Sequence, residues 1–99
     1  MDVNRALRSA VTTGKVLLGG DQTMRSIADG SAKLVVVSSN HPETEALKDA
    51  ASKKNVPVYE FPGRRTELGP ACGKPFPVGV LCVLDPGASD VLGLKKEAA

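Results

Sequence analysis

Apolar positions along the chain alternate between two spacings, and the switches divide it into helices and strands. Val3, Ala6, Leu7, Ala10 and Val11 recur at steps of three and one, which is one face of a helix, with Asp2 as N-cap and Gly14 as stop. Residues 15–18, Lys-Val-Leu-Leu, predict a short strand. Met24, Ile27 and Ala28 restore the helical step, so a second helix is expected from about residue 22 to residue 29, stopped by Gly30. Residues 33–38 are a β-branched run without alternation, and a strand apolar on both sides is covered on both faces and central in its sheet. Asn40-His41-Pro42-Glu43 opens a third helix, with Pro42 at the first helical position, Glu43 and Glu45 complementing the dipole, and Asn55 at the end. Residues 57–61 predict another strand. Thr66 is the expected N-cap of a short helix over 67–72, stopped by Gly73. A strand follows over 77–85, with Val78, Val80, Leu81, Val83 and Leu84 buried. Next come an Asp85-Pro86-Gly87 turn, a final strand over 91–94 forming an antiparallel hairpin, and a frayed tail over 95–99.

This alternation predicts an α/β chain: a three-layer α/β/α sandwich around a mixed sheet of four or five strands, in one domain spanning all 99 residues. Composition refines the picture. Aromatics make up only 3% of the chain, so the core must be Val, Leu, Ile and Ala. The formal net charge of +2 permits a nucleic-acid partner without demanding one. Cys72 and Cys82 show no metal-ligand spacing and, with one histidine in the chain, predict reduced, buried thiols. No basic leader precedes an apolar stretch and no apolar run approaches membrane-spanning length, so a soluble, cytosolic protein without membrane partner is expected.

Candidate chemistry centres on Gly19-Gly20-Asp21-Gln22-Thr23, where a strand ends and a helix begins. Unpaired N–H groups and the peptide dipoles make such a junction a seat for an anion such as phosphate. The same residues also suit an unoccupied turn with Asp21 as N-cap. The stretch lacks the spacing of a P-loop or a dinucleotide fingerprint. His41 stands alone as a surface or capping residue, and Ser38, Ser39 and Cys72 have no base beside them, so no enzyme class emerges. Phe76, between Pro75 and Pro77, is either tucked under its loop or presented as a stacking platform. Asn40 offers a donor and an acceptor to a base edge.

Gly14-Lys15-Val16, Gly19, Ala32-Lys33-Leu34-Val35-Val36-Val37, Asn40, Val58-Tyr59-Glu60-Phe61, Glu67-Leu68-Gly69, Gly73-Lys74-Pro75-Phe76-Pro77-Val78-Gly79-Val80 and Asp85-Pro86-Gly87 form an ordered series. From about Val3 to Leu94 it resembles a family of archaeal and eukaryotic large-subunit ribosomal proteins, part of the wider group that binds kink-turns. Kink-turns are sharply bent RNA internal loops with tandem sheared G·A pairs. The resemblance implies an α/β/α sandwich, no catalysis, no cofactor and no small-molecule substrate. It implies rRNA of the large subunit and neighbouring ribosomal proteins as partners, in the cytoplasm. The lack of basic extensions points to the archaeal side.

By position, the resemblance implies an RNA surface of three loops. Gly19, Gly20, Asp21 and Gln22 form one lip, Asn40 meets a base of the sheared G·A region, and Phe76 packs on an unstacked base. Lys74, Val78 and Gly79 line the same groove. Asp21 departs from the pattern, because a basic residue is usual there; it is either an N-cap or an acceptor for a base amino group. Pro77 also replaces a common cation. Glu67-Leu68-Gly69 reads as a structural helix start, and Arg64 and Arg65 are candidate phosphate contacts. Few cations on this surface predict a shallow salt dependence. Besides a protein-interaction scaffold with no RNA role, two rivals stay open on the residues alone. One is a small α/β enzyme or sensor binding a phosphorylated metabolite at Gly19-Gly20, and the other is a stand-alone kink-turn protein of another ribonucleoprotein.

Overall fold

The computed structural model describes residues 3–39, 41–85 and 87. Its elements run α1 (Val3–Thr13), β1 (Lys15–Leu18), α2 (Gly20–Asp29), β2 (Leu34–Val37), α3 (Thr44–Lys53), β3 (Val58–Glu60), α4 (Arg65–Ala71) and β4 (Val80–Asp85). The strands form one mixed sheet in the order β1-β4-β2-β3, with β4 antiparallel to both neighbours and β2 parallel to β3.

Side-chain alternation along the strands builds two cores. Leu34 and Val36 on β2 and Leu81 and Val83 on β4 pack with Ala6, Leu7 and Ala10 of α1 and Leu68 and Ala71 of α4. Val35 and Val37, with Val80 and Cys82, pack on the opposite face with Ile27 of α2 and Leu47 and Ala51 of α3. The sandwich is thus α1–α4, sheet, α2–α3. All four residues of β2 are buried because helices cover both faces, which is why its sequence runs apolar without alternation. Cys72 and Cys82 are free and buried, and burial pushes both thiols up, that of Cys82 to about 11.

Several expected boundaries shift, each for a local reason. The second helix begins at Gly20, and Gly19 rather than Asp21 is its N-cap. The Gly19 carbonyl already accepts from the Thr23 N–H at 3.1 Å and the Thr23 hydroxyl at 2.8 Å, which leaves Asp21 in the first turn. Pro42 does not open the third helix. It lies in a turn closed by the Thr44 N–H and hydroxyl on the His41 carbonyl, at 3.2 and 2.8 Å, and Glu43 is the N-cap. Thr66 lies inside the short helix, whose N-cap is Arg64; the Arg64 carbonyl takes the Glu67 and Leu68 N–H groups. The last described strand starts at Val80 because Pro77 has no N–H to give and the Val78 N–H turns away to the Arg65 carbonyl. Leu84 is half-buried rather than buried. The proposed cap Asp2, the strand over 91–94 and the tail lie outside the described residues.

Candidate nucleic-acid interface

Strand register brings four connections to one end of the sheet. Leu18, the last residue of β1, pairs with Leu81 near the start of β4; Val37, ending β2, pairs with both Val80 and Glu60. The exits of β1, β2 and β3 and the entry to β4 therefore share one rim.

Backbone hydrogen bonds lace the loops of that rim together. The Gly19 N–H donates to the Val80 carbonyl at 3.0 Å, and the Ser38 N–H to the Gly79 carbonyl at 2.8 Å. The Ser39 N–H donates to the Gly63 carbonyl at 2.9 Å, and the Val78 N–H to the Arg65 carbonyl at 3.0 Å. Gly19 holds φ 107° and ψ 153°, a region open essentially to glycine alone. That conformation turns the chain from strand into helix within one residue.

Side chains tighten the rim. His41 accepts the Glu43 N–H on Nδ1 at 3.0 Å, which makes it the acceptor of a local turn, and its ring lies against Gly79. A Cβ at Gly79 would stand 2.7 Å from His41 Cδ2, closer than real Cβ contacts come. The Glu43 carboxylate reaches over the first turn of α2, where a Cβ at Gly20 would lie 3.3 Å from Oε2. At Gly69, inside α4, a Cβ would run into the Phe76 carbonyl, so glycine there lets the Phe76 loop lie directly on the helix. Lys48 on α3 pairs with Glu60 at the end of β3, which holds the Lys48 ammonium above its usual range.

The expected site residues distribute as follows. Gly19, Gly20, Asp21 and Gln22 stand together at the start of α2, with Asp21 and Gln22 exposed. Gly79 sits between this lip and the β2–α3 loop through its contacts with Ser38 and His41. Phe76 is 48% exposed, the one exposed large hydrophobic side chain among the described residues. The ring is therefore presented and not tucked under its loop. Val78 points inward, 3% exposed, into the core beneath α1 and α4, so it anchors the loop. Lys74 is half-buried and turns toward β1, beside Val16 and Leu18. Asn40 lies outside the described residues, between half-buried Ser39 and His41. His41 and Glu43 tie loops far apart in sequence; a lone histidine before a proline signals a local cap, but nothing in the sequence signals its contact with Gly79.

Two shallow surface cavities, one beside β1 and one lined by Ser38, His41, Thr44, Glu60, Phe61 and Pro62, do not include Gly19 or Gly20. Among the described residues no group of His, Cys, Asp and Glu could hold a metal ion.

A model of the ribosomal protein L7Ae/L30e/S12e/Gadd45 family matches residues 1–93. The large ribosomal subunit protein eL30 of Methanocaldococcus jannaschii is 48% identical, covering 98% of this chain and 92% of its own. The protein of the same name from Methanothermobacter thermautotrophicus is 47% identical over 93% of this chain and 96% of its own. A solved structure from Bacillus halodurans C, described as a protein with unknown function, superposes with TM-score 0.80 at 27% identity and covers 95% of each chain. The layered fold, the ordered motifs and these matches over nearly the whole length lead to one conclusion: the chain belongs to the ribosomal protein L7Ae/L30e/S12e/Gadd45 family.

Proposed function

We propose that this chain is a non-catalytic structural component of the large ribosomal subunit in the cytoplasm, and that it binds rRNA at a kink-turn through the laced rim. The observation that carries the reading is Phe76, a large apolar ring left in solvent on the same rim as Gly19 and Gly79. Its relatives at 47–48% identity bear the name of a large-subunit protein. Proteins read RNA best where bases are unstacked, at bends, bulges and loops, and an aromatic side chain offers such a base a stacking face.

Each part of the rim has its task in this reading. Gly19 and Gly20 let the RNA approach the start of α2 closely. Asn40 meets a base of the sheared G·A region with its amide. Phe76 packs on an extruded base, while Val78 and the Gly69 contact hold its loop from below. Gln22, Lys74 and Gly79 complete the groove. Because Gly19 caps α2, Asp21 is left as an exposed carboxylate in its first turn, suited to accept from a base amino group. Neighbouring ribosomal proteins meet the faces away from the RNA.

The test compares binding to a kink-turn RNA and to a straight duplex of equal length. A clear preference for the kink-turn, weakened by Asn40→Ala, is expected; equal affinity for both would overturn the proposal. Co-sedimentation with purified large subunits through a moderate salt wash is the companion measurement for ribosomal residence.

A further inference from the structure

Charge divides unevenly between the two helical layers. Among the described residues, α1, α4 and the loop after α4 carry Arg5, Arg8, Arg64, Arg65 and Lys74 against one carboxylate, Glu67. On α2, α3 and their caps the charges nearly balance: Asp21, Asp29, Glu43, Glu45 and Asp49 against Arg25, Lys48, Lys53 and Lys54. A net charge of +2 for the whole chain hides this polarity.

The cations are placed about Phe76. Residues 74–78 run back along α4: the Lys74 N–H bonds to the Gly69 carbonyl at 2.9 Å, the Phe76 carbonyl meets Gly69, and the Val78 N–H bonds to the Arg65 carbonyl at 3.0 Å. Exposed Arg64 and Arg65 stand at the start of α4. At its far end exposed Arg8 crosses from α1, with Nη2 donating to the Pro70 carbonyl at 3.4 Å and its side chain beside Gly73. The two groups of cations are separated by the length of α4, about 10 Å, and the Phe76 backbone lies between them, on Gly69.

Resting on the kink-turn reading above, we propose that the RNA continues past the rim along the α1–α4 side. One of its two stems lays its phosphates on Arg64 and Arg65 to one side of Phe76 and on Arg8 to the other. Beyond the start of α2, which belongs to the rim, the α2–α3 side carries nearly balanced charge and faces away from the RNA. A basic strip beside a stacking ring is how a backbone-tracking groove is built, and its cations contribute through counterion release. The concentration of cations on the α1–α4 side thus fixes which way round the protein sits on the bend.

The experiment uses the full chain and three kink-turn RNAs: one with both stems short, and two with one stem or the other lengthened by about ten base pairs, one helical turn. One extension, and not the other, should raise affinity and steepen the salt dependence. The triple variant Arg8→Ala, Arg64→Ala, Arg65→Ala should lose on the order of tenfold more affinity for that RNA than for the short one, with its salt slope flatter by about 2 to 3. Three Arg→Lys replacements should restore most of the loss. Lys53→Ala with Lys54→Ala, on the α2–α3 side, should leave all three affinities unchanged. Equal affinity for all three RNAs, or equal losses by the triple variant on long and short RNAs, would overturn the inference while the kink-turn reading stands. Failure of the wild-type chain to prefer the short kink-turn over duplex would overturn both.

Discussion

The two ends of the sheet are built by different means. At the end away from the rim, the turns close on themselves. The Gly14 N–H bonds to the Ala10 carbonyl, and Gly30 ends α2 at φ 83° with its N–H on the Ile27 carbonyl. The Ser31 hydroxyl and, second to it, the Ser31 N–H hold the Asp29 carboxyl below its usual range, and Asp85 takes the Gly87 N–H at 2.9 Å. At the rim the bonds join residues far apart in sequence: Gly19 to Val80, Ser38 to Gly79, Ser39 to Gly63. The far end has long-range ties too, with Gly87 against the Thr13–Gly14 backbone and the Lys33 N–H on the Val83 carbonyl, but its turns close locally, whereas the rim exists only in the assembled sheet. Substitutions at the local end should alter stability alone, and those at the rim should separate stability from RNA binding according to what they touch.

The largest effect is expected at Gly69, the buried support of the rim. Gly69→Ala drives a Cβ into the Phe76 carbonyl and should lower unfolding free energy by about 2–3 kcal/mol in urea melts, the scale of core overpacking. RNA affinity should fall with it. Phe76→Ala should do the opposite, weakening kink-turn binding by about 1–3 kcal/mol. Its stability should change by no more than about 0.5 kcal/mol, as for other exposed positions. A stability loss as large as the binding loss would mean the ring is packed rather than presented. At the local end, Gly30→Ala places a Cβ at positive φ and should cost about 1 kcal/mol of stability, with RNA affinity intact.

The smallest effect concerns Cys82, in the core between the two ends. Its thiol is raised from 9.0 to about 11 by burial, so the unfolded chain releases that proton at lower pH than the folded one. The stability linked to it is fully present below about pH 8 and declines as pH rises through 9 toward 11. Urea melts across that range should show the decline, and Cys82→Ala should flatten it. Ellman's reagent at pH 8 should find both cysteines unreactive until the chain unfolds.

The same contrast explains what the amino-acid order makes legible. The bounds of β1, the stop at Gly30 and the Asp85–Gly87 turn follow from short-range pattern and are present, and the buried-both-faces reading of residues 33–38 holds over 34–37, with Lys33 exposed. The caps of α2 and α4 are displaced because backbone carbonyls at Gly19 and Arg64 close the first turns before any side chain is needed. The burial of Val78 follows from its expected strand, but that Gly20 faces Glu43, that His41 rests on Gly79 and that Phe76 points outward depend on strand order, which no local window contains. The family resemblance gathers the rim residues by position, and the contacts supply the reason they stay gathered.

The strand order has a further consequence, in time. Of the four described strands β4 is made last, yet it lies between the first and the second. Its approach supplies the two carbonyls, Gly79 and Val80, from which the lips at Ser38 and Gly19 hang. A nascent chain that has not reached these residues holds β1 apart from β2 and β3, and the long-range closure comes only at the end. The rim therefore exists only once residues 79 and 80 have been made and β4 has paired between β1 and β2, and a chain that stops short of them lacks it.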